Sequence, residues 1–431
     1  MLDIRLIRNE PDAVIEALSK RMPAVDAADK IREIVELDGE YRAALKLAED
    51  LKAEVNSASK SIGQLMQAGK KDEATAAKER VRQIKESQTE RDATERNLEE
   101  QLKACLNVIP NLPHETTPAG GEANNVVIRS VGEPRHFDFA PKAHWDLAAD
   151  LGLIDFGRAT KLAGSGFVLY KGLGARIERA LIQLMIDLHV NEQGYTEWQT
   201  PYFLNRESIT ASAHVVKFTP EMYHDATDDL FALPTAEPAL INIHRDEILD
   251  GADLPLNYVA HSPCWRREAG AAGKDTRGLL RVHQFDKVEM VKFTSAESSY
   301  DELEKMLGNA TDVLDVLGLP YRILMLAAGD LSFSAAKCYD VEAHAPGVGA
   351  WLEVSSVSNC TDFQARRGAI RYRSQQGAKP EFAHLLNGSG TALPRVYAAL
   401  LENWQNADGT VTVPEALRPY LGGLELITPQ S

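Results

Sequence analysis

The amino-acid sequence predicts an α+β fold, in which a long antiparallel two-helix coiled-coil arm precedes a domain with a mainly antiparallel sheet flanked by helices. Residues 30–107 form one block that is free of proline and rich in Ala, Lys, Glu, Gln and Arg. After this block, alternating apolar segments are separated by loops rather than by regular crossover helices, which favours antiparallel pairing. We therefore divide the chain into an N-terminal helical arm, residues 1–110, and a second domain, residues 111–431.

The arm is predicted from the spacing of its apolar residues. From Ile31 to Leu65 they recur in steps of three and four, with one gap of seven, which is close to a heptad repeat. A sparser series runs from Val81 to Leu106, and residues 67–72 between the two series predict a turn. We expect two antiparallel helices of roughly 35 residues, each about 50 Å long at 1.5 Å per residue.

The composition indicates a folded cytoplasmic protein. Of the 431 residues, 44% are hydrophobic and 26% are charged, which is typical of globular domains. No apolar run approaches the roughly 18 residues that cross a bilayer, so we expect no membrane association. The N-terminal residues lack the apolar core of a signal peptide. The four cysteines are widely scattered and have no zinc-ligand spacing, which indicates reduced thiols.

The charge of the chain is unevenly distributed. A net charge of −16 argues against nucleic-acid binding by the surface as a whole. Between residues 60 and 85, however, there are seven Lys or Arg against three Asp or Glu. Local charge decides where a phosphate backbone docks, so this part of the arm is a candidate contact surface. A dimerising or scaffolding coiled coil is the alternative. The candidate contact residues are Lys60, Lys70, Lys71, Lys78, Arg80 and Arg82.

Residues 261–291 carry the densest set of chemically special side chains. Two alternating, strand-like runs flank a loop rich in glycine and positive charge. Arg266 closes the first run, and Phe285 and Glu289 share one face of the second because they are four residues apart. Guanidinium groups, an aromatic face and a carboxylate suit a nucleoside triphosphate together with a small cationic or hydroxylated partner. A surface hairpin with solvated charges is the alternative.

This segment resembles motif 2 of the class II aminoacyl-tRNA synthetases. Its residues Trp265-Arg-Arg-Glu-Ala-Gly270 and Arg277-Gly-Leu-Leu-Arg-Val-His-Gln-Phe285 are similar to those of the seryl-tRNA synthetase family. The resemblance implies a class II synthetase catalytic domain, which activates L-serine with ATP and Mg²⁺ and transfers it to tRNA(Ser). In organisms that use selenocysteine, it implies tRNA(Sec) as a further partner. It also implies a homodimer and assigns the arm to tRNA binding.

Two further segments carry the resemblance. The helix expected over 174–193, the stop at Gly194 and a strand over 195–201 look like motif 1, although any amphipathic helix that feeds a strand would match. Residues 385–395 resemble motif 3, which we expect to be a glycine-rich loop leading into a helix. Glycines allow close approach to a ligand, and Arg395 falls in the first helical turn.

The resemblance implies roles for individual residues in ATP binding. Arg266 would hold the α-phosphate and the substrate carboxylate, because a guanidinium fork matches paired oxygens. Phe285 would stack on adenine, and Arg395 would meet the γ-phosphate. Glu353 and Ser356 offer oxygen ligands for Mg²⁺. The expected catalytic residues are Arg266, Arg395 and Glu353. The expected ATP-binding residues are Arg266, Arg267, Glu268, Phe285, Glu353, Val354, Ser355, Ser356 and Arg395.

The choice of amino acid is predicted from a separate segment. Leu233-Pro-Thr-Ala-Glu237 is similar to the Thr-x-Glu signature of seryl-tRNA synthetases. It would place Thr235 and Glu237 at the serine ammonium group, with Ala236 between them. Glu289 would bind the serine hydroxyl, and Ser389 would add a second polar contact. A pocket that hydrogen-bonds a hydroxyl rejects alanine, because its polar groups otherwise stay unpaired.

Two other functions are weighed against this one. An enzyme of the same fold could activate an amino acid and load a carrier protein, but such relatives lack a full tRNA-binding arm. A non-catalytic RNA-binding paralogue would have lost phosphate or metal groups, yet Arg266, Glu353 and Arg395 all persist. The sequence also lacks a Gly-x4-Gly-Lys-Ser/Thr phosphate loop.

Overall fold

The structure is a computed structural model that describes residues 1–214, 219–268 and 277–429. It contains two compact units, residues 1–110 and residues 111–431. Most of the glycine-rich loop of motif 2, residues 269–276, lies outside the described residues. No helix in the described ranges is long and apolar enough to span a membrane.

The helices of the described chain are numbered in order of sequence. They are α1 (Ile4–Asn9), α2 (Pro11–Ser19), α3 (Ala24–Gln67), α4 (Lys71–Asn107), α5 (His144–Asp150), α6 (Phe156–Ala163), α7 (Leu173–Asp187), α8 (Arg206–Ala211), α9 (Glu237–Ile241), α10 (Ser299–Leu317), α11 (Phe363–Arg367) and α12 (Leu393–Asn403).

The two long helices α3 and α4 pack against each other and form the predicted hairpin. α3 has 44 residues and α4 has 37, so they are about 66 and 56 Å long. The first helix is longer than expected because it begins at Ala24, directly after Pro23. The turn between them contains Gly69 at φ 74°, a conformation that favours glycine. Gly39 does not interrupt α3, in line with the modest free-energy cost of glycine in a helix.

The heptad stripe of α3 contains one buried carboxylate. Ile31, Ile34 and Ala48 are fully buried, but Asp38 between them is only 3% exposed. Arg8 of α1 pairs with both of its oxygens: Nε lies 2.6 Å from Oδ2 and Nη2 lies 2.8 Å from Oδ1. The two short N-terminal helices therefore attach to the base of the arm through this ion pair as well as through apolar packing.

The strands are numbered in the same way. They are β1 (Val126–Val131), β2 (Thr196–Glu197), β3 (Phe203–Asn205), β4 (His224–Asp225), β5 (Leu230–Ala232), β6 (Ile248–Asp250), β7 (Leu256–Trp265), β8 (Gln284–Thr294), β9 (Tyr321–Met325), β10 (Lys337–Ala345), β11 (Ala350–Asn359), β12 (Arg371–Arg373), β13 (Glu381–Phe382), β14 (His384–Ala392), β15 (Val411–Thr412) and β16 (Leu426–Ile427).

One sheet of eight strands organises the second unit. Its order is β1-β9-β10-β11-β14-β8-β7-β2. Every neighbouring pair is antiparallel except the edge pair of β2 and β7. The three longest helices of this unit, α7, α10 and α12, pack on the sheet, and their apolar residues form the main core. The predicted α+β fold, with a helical hairpin followed by a mainly antiparallel sheet flanked by helices, is confirmed.

The motif 1 segment matches its prediction only in part. α7 ends at Asp187 and continues as a short π-helix, Leu188–Glu192. Gly194, at φ 73°, ends the helical stretch as expected. The strand is much shorter than the predicted 195–201. Only Thr196–Glu197 pairs regularly, because β2 lies at the sheet edge and meets β7 over two residues.

The expected glycine-rich loop of motif 3 is instead strand β14, at the centre of the sheet. A Cβ on Gly388 would lie 3.1 Å from Val357 Cγ2 and 3.2 Å from Met306 Sδ. A Cβ on Gly390 would overlap the His189 ring. These glycines are therefore needed for packing within the sheet and against the helices.

Candidate active site

A cavity of about 400 Å³ lies on the face of the sheet opposite α10 and α12. Phe285, Lys287 and Glu289 of β8 line it, whereas Val288 and Met290 belong to the helix-packed core. Most of the predicted site residues meet here. Those that line the cavity are Thr235, Glu237, Arg266, Glu268, Phe285, Glu289, Glu353, Val354, Ser355, Ser356, Ser389 and Arg395.

Two of the predicted residues lie elsewhere. The Arg267 guanidinium points away from the cavity, where Nε donates to Met222 O at 3.1 Å and the group lies 4.9 Å from the Tyr223 ring centroid. Ala236 is fully buried in a cluster behind the cavity wall. Neighbouring residues on an extended backbone face opposite ways, which explains why Arg266 and Arg267 separate.

Arg266 and Phe285 form one wall of the cavity. The guanidinium carbon lies 5.2 Å from the ring centroid, which is within the range of a cation–π contact. The Arg266 Nε donates to Pro234 O at 3.2 Å, and its backbone N–H donates to His283 O at 2.9 Å. These contacts hold the guanidinium beside the aromatic ring, as binding of a nucleotide would require.

Two arginine–glutamate pairs, Arg395 with Glu353 and Arg281 with Glu268, also line the cavity. Arg395, in the first turn of α12, donates from Nη1 to the backbone oxygen of Glu353 at 2.8 Å and to Oε2 at 3.3 Å. Its Nε donates to Leu280 O at 3.2 Å. Glu268 pairs with Arg281 at 3.3 Å. Three arginines, Arg266, Arg281 and Arg395, therefore line the same cavity.

A β-bulge at Val354 sets the direction of the predicted Mg²⁺ ligands. Val341 pairs with Ser355 and Glu342 pairs with Glu353, so Val354 is an extra residue in β11. In a regular strand, residues three apart face opposite sides. The bulge reverses this alternation and brings Glu353 and Ser356 to the same side.

Asp340 on β10 lies directly opposite Ser356. Burial raises the pKa of its carboxyl group well above the usual range, and the charge of Glu353 raises it further. Glu353 and Ser356 line the cavity, and Asp340 lies next to them on the neighbouring strand. A cation would relieve the repulsion between the two acidic groups.

The other end of the cavity contains two buried carboxylates. Glu289 is 2% exposed, and its Oε2 lies 2.6 Å from Lys287 Nζ and 3.2 Å from Ser389 Oγ. Glu237 is 9% exposed, and its Oε1 accepts hydrogen bonds from Gln364 Nε2 at 2.6 Å and Asn387 Nδ2 at 3.2 Å. Burial raises the pKa of both carboxyl groups, and the Lys287 charge opposes that rise.

Thr235 and His214 lie beside Glu237. The Thr235 hydroxyl accepts the Glu237 N–H at 3.3 Å, which fixes the start of α9. His214 Nε2 lies 3.8 Å from Glu237 Oε2. Burial lowers the pKa of His214 to about 4, and the positive charge of Lys287 lowers it as well. This histidine is therefore neutral near pH 7 and leaves the carboxylates to attract a cationic ligand.

The sequence motifs missed four polar residues of this end: His214, Lys287, Gln364 and Asn387. Lys287 shares its strand face with Glu289, so strand alternation contained a usable signal. The other three come from a segment before β4, from α11 and from β14. Only the folded sheet brings them together, and no local spacing relates them to Glu237.

Two family models match separate parts of the chain. A family model of the seryl-tRNA synthetase N-terminal domain matches residues 1–113. A model of the class II tRNA synthetase core domain (G, H, P, S and T) matches residues 218–404. A serine–tRNA ligase of Roseiflexus sp. is 49% identical over 428 residues, which are 99% of this chain and 99% of that protein. The chain belongs to the seryl-tRNA synthetase family. It is a class II serine–tRNA ligase, which activates serine with ATP and transfers it to tRNA(Ser).

Other relatives agree with this assignment. A serine–tRNA ligase of Thermomicrobium roseum is 50% identical over 99% of this chain and 95% of that protein. Among solved structures, seryl-tRNA synthetase from Pyrococcus horikoshii complexed with ATP has a TM-score of 0.92 and 38% identity, with all of both chains covered. A cytoplasmic serine–tRNA ligase from Naegleria fowleri in complex with AMP has a TM-score of 0.87 and 29% identity over 100% and 99% of the two chains. The family predicted from the motifs is confirmed.

Proposed function

We propose that the cavity binds serine between Glu237 and Glu289 and binds ATP between Arg266, Phe285 and Arg395. One observation supports this division most directly. The two buried carboxylates line a single cavity together with three arginines, and Arg281 and Arg395 of these pair with Glu268 and Glu353 rather than with the buried carboxylates. An amino acid and a nucleotide that filled the two ends would meet in the middle, with the serine carboxylate beside the α-phosphate.

Adenylate formation needs little proton transfer, because the serine carboxylate is already an anion. The enzyme must position two negatively charged reactants and stabilise the charge that develops at phosphorus. Arg266 is suited to this task, since its contacts with Pro234 and Phe285 hold it in place before substrates bind. Arg395 is suited to the outer phosphates, and release of Glu353 would free its Nη1 for them.

Serine selection rests on buried polar groups. Glu237 is held by Gln364 and Asn387 and offers negative charge to the serine ammonium group. Glu289 offers an acceptor to the serine hydroxyl, and Ser389 lies beside it. Alanine would leave this acceptor unpaired in a buried site, which costs roughly 1–3 kcal/mol or more for a charged group.

The residues near Glu353 fit Mg²⁺. Their donors are carboxylate and hydroxyl oxygens, and the paired acidic groups Asp340 and Glu353 favour a nearby cation. Among the described residues, no group of three or more His, Cys, Asp or Glu could hold a metal. Mg²⁺ typically takes only one or two protein carboxylates together with phosphate oxygens. Bound at Glu353 and Ser356, it would neutralise charge on the ATP phosphates.

The arm offers a surface for tRNA. Lys70, Arg80 and Arg82 form ion pairs with glutamates of the arm. Lys60, Lys71 and Lys78 are exposed, and they form no ion pair within the described part of the chain. These three lysines are the strongest candidates for phosphate contacts, because no internal partner has to be displaced.

Several assignments rest on the family alone. We propose that the enzyme is a cytoplasmic homodimer and that Mg²⁺ accompanies ATP. In an organism that uses selenocysteine, it would also serylate tRNA(Sec). The carrier-protein and non-catalytic alternatives are not favoured, since relatives named serine–tRNA ligase match over nearly the full chain.

Serine-dependent ATP–pyrophosphate exchange tests the proposed site, with threonine, alanine and glycine as controls. Exchange with serine alone is expected. Exchange with another amino acid would overturn the assignment of the pocket, and no exchange with any of them would favour the non-catalytic alternative. Transfer of radiolabelled serine to purified tRNA(Ser) then tests the second step.

A further inference from the structure

Lys287 and Glu289 form a buried ion pair in the wall of the proposed serine pocket. The Lys287 Nζ and Glu289 Oε2 atoms are 2.6 Å apart, and the side chains are 8% and 3% exposed. The residues are two apart on β8, so both face the cavity. Burying an ion pair stabilises a fold less than well-packed apolar residues often do. A role in ligand binding is therefore a better account of this pair than stability.

The two oxygens of Glu289 are used unequally. Oε2 receives both Lys287 Nζ and the Ser389 hydroxyl. Within the described residues, Oε1 has no hydrogen-bond donor. The pair thus fixes one carboxylate oxygen and leaves the other as an acceptor for a ligand.

The charge of Lys287 also matters for the pocket as a whole. Glu237 and Glu289 are both buried, and the charge of Glu237 raises the pKa of the Glu289 carboxyl group, after the larger effect of burial. Lys287 is the cation in direct contact with Glu289 and offsets this accumulation of negative charge. It also lowers the pKa of His214, which lies beside Glu237.

We propose that Lys287 is a positioning residue that determines specificity for serine, by holding the Glu289 carboxylate so that Oε1 accepts the substrate hydroxyl. This inference rests on the proposed serine pocket and adds to it a residue that touches neither ATP nor the reacting atoms. Lys287 acts through Glu289, so its loss affects recognition of the hydroxyl more than it affects ATP.

Lys287→Met tests the proposal, because methionine keeps much of the length and removes the charge. We expect the KM for serine in pyrophosphate exchange to rise about 10- to 100-fold, the range for a hydrogen bond to a charged group. The KM for ATP should change by less than about 3-fold. The ratio of kcat/KM for serine to that for alanine should fall, because alanine has no hydroxyl to lose.

Lys292→Met is the matched control. Lys292 lies on the opposite face of the same strand and pairs with Glu302 at 2.7 Å, with side chains 4% and 6% exposed. Both variants should lower the melting temperature, but only Lys287→Met should change the serine-to-alanine ratio. Equal ratios in Lys287→Met and the wild type would overturn the proposal.

A second variant, Lys287→Gln, keeps the proposal testable if Lys287→Met does not fold. Lys287→Gln keeps a hydrogen-bond donor near Glu289, and we expect a smaller rise in the serine KM than with methionine. A Gln variant as impaired as a folded Met variant would show that orientation contributes nothing, and would overturn the positioning role. If the wild-type enzyme itself failed to exchange with serine, the pocket assignment would be wrong, an outcome distinct from failure of the Lys287 proposal.

Discussion

The backbone N–H of Leu279 donates a hydrogen bond of 3.0 Å to Nε2 of His144. Because Nε2 is the acceptor, the ring proton lies on Nδ1, which donates to Glu402 Oε1 at 2.7 Å. The other Glu402 oxygen accepts the N–H groups of Gly347 and Val348 at 2.7 and 3.0 Å. His144 and Glu402 are fully buried. Helix α12 is thereby joined to Leu279, which lines the cavity.

Replacing His144 with leucine should impair the nucleotide end of the site. The Leu279 N–H and the Glu402 carboxylate would each lose a buried partner, at a cost of roughly 3 kcal/mol or more in the free energy of unfolding. We expect the KM for ATP to rise more than the KM for serine, because Leu279 and Leu280 lie in the cavity wall.

Steady-state pyrophosphate exchange and thermal unfolding measure both effects. His384→Leu is the control, since the His384 ring contacts Ser299 Oγ at 2.9 Å and does not line the cavity. An unchanged KM for ATP in a folded His144→Leu variant would disprove the connection.

The two adjacent arginines of motif 2 should differ in their effect on catalysis. Arg266→Ala removes a cavity guanidinium and should slow pyrophosphate exchange about 10²- to 10³-fold, as does loss of one donor to a developing oxyanion. Arg267→Ala removes a guanidinium that contacts Met222 and Tyr223 instead. Its effect on kcat/KM should be at least about tenfold smaller. Similar losses in the two variants would contradict the placement of the side chains.

Charge reversal on the arm should separate the two steps of the reaction. Replacing Lys70, Lys71 and Lys78 with Glu should weaken tRNA binding and leave adenylate formation intact. The slope of the logarithm of affinity against the logarithm of salt concentration should also become smaller, by about one for each phosphate group that the arm no longer binds. Filter binding at several salt concentrations, together with pyrophosphate exchange, provides the measurement.

The control for that experiment reverses three exposed charges elsewhere in α3 and α4: Arg42, Lys46 and Lys103. It produces the same change in net charge. If both triple variants bound tRNA equally poorly, total charge would explain the effect, and the assignment to the tip of the arm would be wrong.

The ion pair at the base of the arm should stabilise it. Arg8→Ala leaves the buried Asp38 carboxylate without its bidentate partner, and we expect a loss of about 2–3 kcal/mol, because part of Arg8 is solvent-exposed. Hydrogen–deuterium exchange of the full chain should show faster exchange in α1 and in the first turns of α3. Arg5→Ala breaks an exposed pair with Asp3 and should reduce stability much less than Arg8→Ala, because solvent screens an exposed pair. Equal hydrogen–deuterium exchange rates in α1 and α3 of the two variants would contradict a stabilising role of the Arg8–Asp38 pair.

Two buried histidines should make stability depend on pH. Burial lowers the pKa of His189 and of His214 to about 4, whereas an exposed histidine titrates near 6.5. Between these values each of the two histidines binds more protons in the unfolded chain than in the folded one, so their contribution to stability falls as the pH falls from about 6.5 to 4. The raised pKa values of Glu237, Glu289 and Asp340 act in the opposite direction, so the histidine contribution is read from variants. Each histidine contributes on the order of 3 kcal/mol to this loss.

Unfolding in urea across this pH range measures the slope. His189→Gln should flatten it, because one of the two buried groups no longer titrates. A slope in His189→Gln equal to that of the wild type would show that His189 does not contribute.

Strong periodic signals explain what could be predicted from the sequence. The heptad spacing of α3 continues over many turns, so the arm was predictable although its first helix began earlier than expected. The alternation in β7 and β8 placed Phe285 and Glu289 on one face, where both line the cavity. In both segments one kind of tertiary contact repeats along the chain. The spacing of residues in the sequence therefore reflects the tertiary structure.

The errors came from segments where tertiary packing decides. Gly388 and Gly390 predict a loop in isolation, but neighbouring side chains fill the space that a Cβ would occupy, so the segment becomes a central strand. Asn387 and Gln364 gain their importance only because the sheet and α11 bring them to Glu237. The spacing of Gln364 and Asn387 from Glu237 along the chain does not predict these contacts.

Val354 is an extra residue in β11, and it shifts the alternation of side chains between the two faces of that strand by one position. It allows two oxygen ligands to be separated by an odd number of positions and still act together, so the spacing of these ligands is tied to one local irregularity of the backbone. Inserting one residue between Val341 and Glu342 of β10 would give Val354 a partner, restore a regular pleat and turn Glu353 and Ser356 to opposite faces, although every atom of the proposed ligands would remain in the chain. In this part of the enzyme, the count of residues matters as much as their chemistry.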